Sequence, residues 1–145
     1  MACSAGGHLA QAQAIVEEFR GDYDIFFVTY RLPHLGRGIG NYRTRFVTNP
    51  HVHYPLYLIN LIQSLFVMIC ERPDAIISTG SGVTIFPCLA AKLLGAKFIF
   101  VESGSRVVSP SRTGRLLYRF ADLFLVQWPA MIEFYPKAIN GGPLL

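Results

Sequence analysis

Apolar residues recur along the chain with two spacings, which predict alternating strands and helices. Helical periodicity covers Leu9–Phe19, Tyr54–Cys70, Val83–Leu94 and Thr113–Phe120. Between these segments lie short continuous apolar runs, typical of buried parallel strands, at Asp24–Tyr30, Ala75–Ser78, Lys97–Glu102 and Asp122–Val126. The last run is expected to be the final strand. This alternation predicts an α/β fold with a Rossmann-like parallel sheet and helices on both faces.

Two less regular segments complete the pattern. Met1–Cys3 is expected to be the end of a strand whose beginning is missing or very short, and Arg31–Asn49 to be a long basic loop with a short strand at Arg45–Val47. The strand Asp24–Tyr30 runs into Arg31 rather than into an acidic residue that would bind ribose, and no complete G-x-G-x-x-G is present. Both observations argue against a nicotinamide or flavin enzyme.

The segment Tyr54–Cys70 is the most apolar of the chain. Asn60, Gln63 and Ser64 recur there at near-helical spacing, which predicts one polar stripe and a wide apolar surface. Two interpretations remain open: a buried core helix, or an interfacial helix beside the basic loop that faces a membrane or a partner. A membrane span is not predicted, because the run is at the lower limit of spanning length and carries polar residues.

Composition narrows the class of protein. The chain has 145 residues, which suits one domain; 52% of them are apolar and 15% are charged. Such a balance indicates a sheet covered on both faces, an exposed apolar patch, or both. The net charge is +4, and the arginines form two groups: Arg31, Arg37, Arg43 and Arg45, and then Arg106, Arg112, Arg115 and Arg119. Nucleic acid is not expected, since no RNA-binding motif, zinc-finger spacing or basic helix is present.

Cysteines and histidines give no metal signature. Three cysteines lie far apart without a CxxC pair, which predicts reduced thiols in a cytoplasmic setting, and no signal peptide is expected. His51 and His53 alternate but lack a third ligand, so no metal site is predicted, and no organic cofactor is expected either.

Three short polar loops follow predicted strands. Ser4–His8, Thr79–Gly82 and Glu102–Arg106 should meet at one edge of the sheet, because the carboxyl ends of parallel strands share that edge. Loop amides, hydroxyls and the Arg106 guanidinium could together hold a diphosphate. The predicted binding residues are Gly6, Gly7, Thr79, Gly80, Ser81, Gly82, Ser103 and Arg106.

Two residues of this edge are candidates for chemistry. His8 would stand at a helix N-terminus, where the helix dipole disfavours imidazolium, and a neutral imidazole there could be a general base. It could equally cap the helix or orient a ligand. Glu102 could be a base, or could only bond ligand hydroxyls or the loop backbone.

A set of motifs in fixed order resembles a known family. The set is Gly6-Gly7-His8, Arg72-Pro73-Asp74, Gly80-x-Gly82, Val101-Glu102-Ser103, Arg106-Val107, Thr113-Gly114-x-Leu116-Leu117-Tyr118, Ala121-Asp122 and Val126-Gln127-Trp128-Pro129. It is similar to that of the asparagine-linked glycosylation protein fourteen family, whose members are membrane-recruiting subunits of a two-part UDP-N-acetylglucosamine transferase acting on a dolichol-linked acceptor. Bacterial exopolysaccharide counterparts belong to the same group.

The resemblance implies a fold like the N-terminal, acceptor-side half of a GT-B glycosyltransferase. A separate catalytic subunit would bind the UDP-sugar, while this chain would bind a lipid-diphosphate-linked sugar acceptor at the cytoplasmic face of a membrane. Residues 1–145 would form one domain, with Tyr135–Leu145 as a tail that docks the partner. The alternative is a non-catalytic anchor and scaffold for the partner.

The sequence also departs from the family pattern. The membrane span that precedes the eukaryotic domain is not found, so attachment would fall to Tyr54–Cys70 with the Arg31–Arg45 loop. The usual Asn-Gly-Pro-Gly reads Thr79-Gly80-Ser81-Gly82 here, as expected for a prokaryotic member. Bacterial counterparts are associated with other sugars, which leaves galactose and glucuronic acid as alternatives to N-acetylglucosamine.

Overall fold

The computed structural model describes residues 1–31, 36, 38–51, 53 and 55–145. The helices are α1 (Gly7–Glu18), α2 (Leu56–Glu71), α3 (Ile85–Leu93) and α4 (Arg112–Leu117). Single 3₁₀ turns occupy Gly82–Thr84, directly before α3, and Pro129–Glu133. The strands are β1 (Phe26–Thr29), β2 (Arg43–Phe46), β3 (Ala75–Ser78), β4 (Lys97–Val101), β5 (Leu123–Val126) and β6 (Ile139–Asn140). Each predicted helix and strand overlaps an observed one, except that the strand end predicted at Met1–Cys3 is a bridge at Ala2. Residues 32–35 and 37 of the predicted basic loop, and Tyr54, lie outside the described residues.

All strand pairs between these strands are parallel. One group has the order β1-β2 and the other the order β3-β4-β5-β6. Ala2 joins the two groups, because it bridges Val28 of β1 on one side and Ser78 of β3 on the other. The short strand end predicted at Met1–Cys3 therefore lies in the middle of the sheet. The predicted parallel α/β fold is confirmed.

The position of the last strand was predicted wrongly. Beyond β5, Ile139 pairs with Leu125 and Asn140 with Val126, so β6 adds a further parallel strand at the edge. A strand of two exposed residues has no alternating pattern that a sequence could reveal. Part of the predicted tail Tyr135–Leu145 therefore belongs to the sheet.

Alternation along β1 divides the core between two faces. Phe27 packs with α1 residues Ala12 and Val16. Its neighbours Phe26 and Val28 belong to the larger cluster on the other face, which includes residues of α2 and α3. Successive strand side chains point to opposite faces, so helices cover both sides of this sheet.

Helix α2 turns its polar stripe inward. Asn60 and Ser64 are fully buried, whereas Phe66 is 68% exposed and Leu58 63%. The stripe is buried because Asn60 Nδ2 donates to the Thr48 carbonyl over 2.7 Å and the Thr48 amide donates to the Gln63 side chain over 2.6 Å. Backbone groups removed from water need such partners. The apolar side of α2 is consequently left facing outward.

The arginines of the basic loop that are described have protein partners. Arg43 contacts Asp24 at 2.7 Å, and Arg45 Nε donates to Glu71 over 2.6 Å. The Arg31 guanidinium lies 4.5 Å from the centre of the Phe46 ring. These cations are therefore less available to an anionic surface than the sequence suggested. Among the described residues, no helix has the length and apolar character needed to cross a bilayer.

Candidate functional site

An open cleft of about 650 Å³ lies at the carboxyl edge of the sheet. It is bounded by the loops that follow the bridge at Ala2, strand β3 and strand β4, and by the start of α4. Most of its walls are polar or cationic, and they consist of His8, His51, Ser81, Gly82, Ser103, Ser105, Arg106, Pro110, Ser111, Arg112, Thr113 and Arg115. The three polar loops predicted to meet at one edge do so.

His8 is held in one orientation by the loop after β3. Its Nδ1 lies 2.7 Å from the Thr79 carbonyl oxygen, and the Thr79 hydroxyl donates to the His8 carbonyl over 2.8 Å. A carbonyl oxygen can only accept, so Nδ1 carries the hydrogen. In the neutral ring, Nε2 is then the unprotonated nitrogen, able to accept a proton from a ligand in the cleft.

The turn after β3 has an unusual backbone. Gly80 has a φ of +104°, and a Cβ there would lie 3.2 Å from the His8 ring. Ser81 follows with φ +83° and ψ +146°, a region that non-glycine residues rarely adopt. The buried Thr84 hydroxyl, which donates to the Ser81 carbonyl over 2.8 Å, helps hold this geometry. The strained residue thus lies on the wall of the cleft.

The cleft is strongly cationic. Arg106, Arg112 and Arg115 line it, and none of the three forms an ion pair with a residue that the structure describes. No carboxylate is found among the described lining residues. Unpaired guanidinium groups beside serine hydroxyls suit a phosphate or diphosphate, which accepts several charge-assisted hydrogen bonds.

Glu102 does not line the cleft. Its side chain is 1% exposed, and its carboxylate accepts four hydrogen bonds from nearby groups. Oε1 accepts from the Ser103 amide over 2.9 Å; Oε2 accepts from the Ser111 amide over 3.2 Å, the Ser111 hydroxyl over 3.1 Å and the Tyr135 hydroxyl over 2.8 Å. This geometry satisfies a buried carboxylate and joins both ends of the loop 103–111.

Two neighbours complete the surroundings of Glu102. A Cβ at Gly114 would collide with the Glu102 carboxylate and lie 2.6 Å from the Tyr135 hydroxyl, so only glycine fits there. Burial, and then the nearby Glu102 carboxylate, raises the pKa of Tyr135 above its usual range. The tyrosine hydroxyl therefore keeps its proton and remains a hydrogen-bond donor.

Apart from Glu102, the predicted catalytic residue His8 and the eight predicted binding residues divide into two groups. His8, Ser81, Gly82, Ser103 and Arg106 line the cleft. The remaining four do not line it: Gly6 precedes α1 with φ +69°, Gly7 is the first residue of α1, Thr79 holds His8, and Gly80 lies beside the His8 ring.

Sequence reasoning did not assign seven of the cleft residues, which are His51, Ser105, Pro110, Ser111, Arg112, Thr113 and Arg115. Three of the seven, His51, Arg112 and Arg115, have basic side chains. The His51 ring lies against Gly82, where a Cβ would collide with Nε2. The two arginines belong to a basic group that the sequence does reveal, but only the position of α4 shows which members face the cleft. Long-range packing, rather than a local motif, brings these three side chains to the site.

Comparison with known proteins shows the family. Residues 39–144 match the family described as "Oligosaccharide biosynthesis protein Alg14 like". The chain belongs to this Alg14-like family. The resemblance drawn from the motifs is thereby confirmed.

Curated relatives of this Alg14-like chain carry consistent names. "UDP-N-acetylglucosamine transferase subunit ALG14" of Homo sapiens is 36% identical over 51% of the chain and 37% of its own length. The protein of the same name in Schizosaccharomyces pombe is 45% identical over 46% of the chain and 34% of its own length. The chain thus matches less than two fifths of either relative.

Bacterial enzymes are also similar to the Alg14-like chain. "UDP-N-acetylglucosamine--N-acetylmuramyl-(pentapeptide) pyrophosphoryl-undecaprenol N-acetylglucosamine transferase" of Treponema pallidum is 36% identical over 56% of the chain and 20% of its own length. The crystal structure of Acinetobacter baumannii MurG superposes with a TM-score of 0.73 at 19% identity, covering 89% of the chain and 40% of MurG. That likeness shows the fold that the resemblance predicted.

Proposed function

We propose that the chain is the acceptor-side subunit of a two-part glycosyltransferase that binds a lipid-diphosphate-linked sugar. The observation that carries this proposal is the cleft wall of Arg106, Arg112 and Arg115, unpaired within the described residues and free of carboxylates. A diphosphate needs several cationic and hydroxyl donors, and this cleft provides both. No acidic residue that would bind a ribose follows β1, so an acceptor diphosphate fits better than a nucleotide.

N-acetylglucosamine is the proposed sugar. The names of the human, fission yeast and Treponema pallidum relatives all specify UDP-N-acetylglucosamine or its transfer. The Treponema name also specifies a pyrophosphoryl-linked polyprenol acceptor. These names support the substrate class for this chain, with galactose and glucuronic acid as the alternatives.

In the proposed reaction, His8 is the general base. An acceptor hydroxyl attacks the anomeric carbon of the UDP-sugar with inversion, forming the new glycosidic bond. The bond between the sugar and UDP breaks, and UDP leaves with its electron pair. The hydroxyl proton passes to Nε2 of His8, which is unprotonated in the neutral ring because Nδ1 donates to the Thr79 carbonyl.

The partner subunit is proposed to provide the UDP-sugar site. A GT-B enzyme has two such domains, and the chain covers 40% of MurG. The tail offers a surface for docking: Ile139, Leu144 and Leu145 are exposed apolar residues, and β6 lies at the edge of the sheet. Tyr135, which begins the predicted tail, is buried, so the docking surface is the part that follows it.

Peripheral attachment to the cytoplasmic face of a membrane is proposed through α2. Its outward side presents Leu58, Ile59, Ile62, Phe66 and Ile69. An apolar helix face of this kind can lie in the lipid interface without spanning it. A chain that acts only as anchor and scaffold is the second candidate function, favoured by the same exposed face.

The decisive experiment is sugar transfer by the assembled enzyme. The chain is co-expressed with the UDP-sugar-binding subunit encoded in the same genome, and membranes receive labelled UDP-N-acetylglucosamine and a polyprenyl-diphosphate-linked sugar. Transfer that requires both subunits and His8 supports the proposal. Full transfer by the His8→Gln variant would contradict the role of His8 as general base and favour the scaffold function. Transfer only from a different UDP-sugar would contradict N-acetylglucosamine as the donor sugar.

A further inference from the structure

The loop that carries Arg106 is held by a segment far along the chain. We call residues Ser103–Ser111 the cleft loop. From the segment after β5, Gln127 Nε2 donates to the Glu102 carbonyl over 2.9 Å. Trp128 Nε1 donates to the Gly104 carbonyl over 2.7 Å, and the Tyr135 hydroxyl donates to Glu102 Oε2 over 2.8 Å. Three side chains from one segment therefore meet the loop and its base.

Internal contacts alone fix little of the cleft loop. Its internal bonds are one turn, from the Arg106 amide to the Ser103 carbonyl over 2.9 Å, and a contact of 3.0 Å between the Ser103 and Ser105 hydroxyls. The residues from Ser105 to Ser109 are exposed. The position of Arg106 and the serines thus depends on the anchors at the ends of the loop.

The anchors converge on one carboxylate. Glu102 accepts from Ser103 at one end of the cleft loop and from Ser111 at the other. Tyr135 donates to the same oxygen, Oε2, as the Ser111 amide and hydroxyl, and its hydrogen bond of 2.8 Å is the shortest of the three. Loss of a buried hydrogen bond to a charged group is costly, so removal of the Tyr135 hydroxyl should weaken the hold of Glu102 on both ends of the cleft loop.

We propose that Tyr135 and Trp128 are positioning residues for acceptor binding: they act through Glu102 and Gly104 to hold the cleft loop in its diphosphate-binding shape. The inference rests on the proposed function, because the loop contributes Ser103, Ser105 and Arg106 to the cleft. It also reassigns Glu102, whose carboxylate is turned to the loop base and not to a ligand. The segment that positions the loop leads directly into β6 and the proposed docking tail.

The test compares two tyrosines of one aromatic cluster. Tyr135→Phe removes the donor to Glu102 and keeps the ring. Tyr118→Phe is the matched control, since the Tyr118 ring packs 5.0 Å from that of Tyr135 while its hydroxyl accepts from the Lys137 amide, away from the loop. Farnesyl diphosphate is the probe, titrated calorimetrically, and hydrogen exchange of the Ser103 and Ser111 amides reports on the loop without ligand.

Tyr135→Phe is expected to weaken probe binding by about tenfold and to speed exchange of both amides, whereas Tyr118→Phe binds within about twofold of the unsubstituted chain. Trp128→Phe removes the donor to the Gly104 carbonyl and should also weaken probe binding. This variant replaces Tyr135→Phe in the test if Tyr135→Phe does not fold. In the assembled enzyme the loss should fall on KM for the acceptor more than on kcat.

Two failures are distinguishable. Unchanged binding and unchanged exchange in Tyr135→Phe, with a probe-binding parent chain, would overturn the positioning role alone. Equal losses in both tyrosine variants would overturn it too, because they would reflect general destabilisation. No binding of the probe by the unsubstituted chain would overturn the proposed acceptor site and, with it, the reason for positioning the loop.

Discussion

A single hydrogen bond defines what His8 can do. Nδ1 donates to the Thr79 carbonyl, so in the neutral ring Nε2 is left to accept a proton from a ligand in the cleft. We predict that His8→Gln lowers kcat of the assembled enzyme by about 10²–10⁴-fold, the usual contribution of a general base. His53→Gln is the control, since His53 is exposed and does not line the cleft. Equal rates for the two variants in the transfer assay would contradict a catalytic role.

Ser81 is a second residue whose backbone makes a prediction. Its φ of +83° with ψ +146° is costly for a residue with a side chain. Ser81→Gly should raise the free energy of unfolding by about 1 kcal/mol, the strain relieved less the entropy that glycine loses on folding. Ser109→Gly, in an exposed position without positive φ, should lower it slightly. Urea unfolding of both variants measures this, and a loss of stability in Ser81→Gly would show that the turn is unstrained.

The role of Glu102 could not be predicted from its residue type and its position after a strand. Its place at a strand end predicted a side chain facing the cleft, which it does not line, and the sequence left open a base, a bond to ligand hydroxyls or a bond to the loop backbone. The choice depends on Ser111 and Tyr135, nine and 33 residues away along the chain. No local pattern links these three residues, so only the folded chain shows that the carboxylate serves the loop.

At the scale of elements, Asp122 ties α3, β4 and β5 together. Its carboxylate accepts from Lys92 over 2.8 Å and from the Phe98 amide over 2.8 Å, and the hydrogen bond from Lys92 is the main cause of a lowered pKa. A carboxyl whose pKa is lower in the folded chain than in the unfolded chain stabilises the fold fully when the pH is above the ordinary pKa of 3.8. This stabilisation is lost as the pH falls from that value through the lowered folded-state pKa.

Asp122→Asn should therefore be less stable than the parent chain at pH 7, and the two should converge as the pH falls from about 5 to 2. Asp74→Asn, at an exposed aspartate outside this contact, is the control and should follow the parent curve. Thermal unfolding across this pH range is the measurement. A constant difference between Asp122→Asn and the parent at all pH values would contradict the linkage.

Helix α2 gives a prediction about surfaces. Phe66 is 68% exposed on the apolar side, whereas Met68 is fully buried. Phe66→Ser should lower binding to phosphatidylglycerol–phosphatidylethanolamine vesicles several-fold and change the free energy of unfolding by less than about 0.5 kcal/mol. Met68→Ala should instead cost about 2–5 kcal/mol of stability.

The control for vesicle binding is Tyr23→Ser, because Tyr23 is 69% exposed but follows α1 rather than lying on α2. Co-sedimentation with vesicles distinguishes the variants. If Phe66→Ser binds vesicles as the parent does, α2 is not the membrane contact.

Helix α2 also shows that hydrophobic periodicity predicts an element but not the direction in which its polar stripe faces. Periodicity predicts α2 and its polar stripe, but the direction of the stripe is decided by Thr48, whose backbone groups bond to Asn60 and Gln63. Strands β1, β3, β4 and β5 were predictable because each lies in a mostly apolar run, which is typical of parallel sheets. Strand β6 was not, since two exposed residues carry no periodicity.

At the scale of the whole molecule, the cleft depends on how the sheet and α4 are arranged. The parallel sheet brings three loops to one edge, which sequence reasoning predicts because parallel strands share their carboxyl ends. The cationic wall depends on α4, which turns Arg112 and Arg115 into the cleft and leaves Arg119 outside its lining. The fold, the family and five lining residues could thus be predicted from sequence, but the full charge of the cleft could not.

The most direct test is calorimetric binding of farnesyl diphosphate to the purified chain. We predict saturable binding that weakens by more than about tenfold in the Arg106→Ala/Arg112→Ala/Arg115→Ala variant, because each guanidinium provides charge-assisted hydrogen bonds. Arg119→Ala, from the same basic group but off the cleft, should bind as the parent does. Absence of saturable binding, or an equal loss in Arg119→Ala, would contradict an acceptor diphosphate site in this cleft.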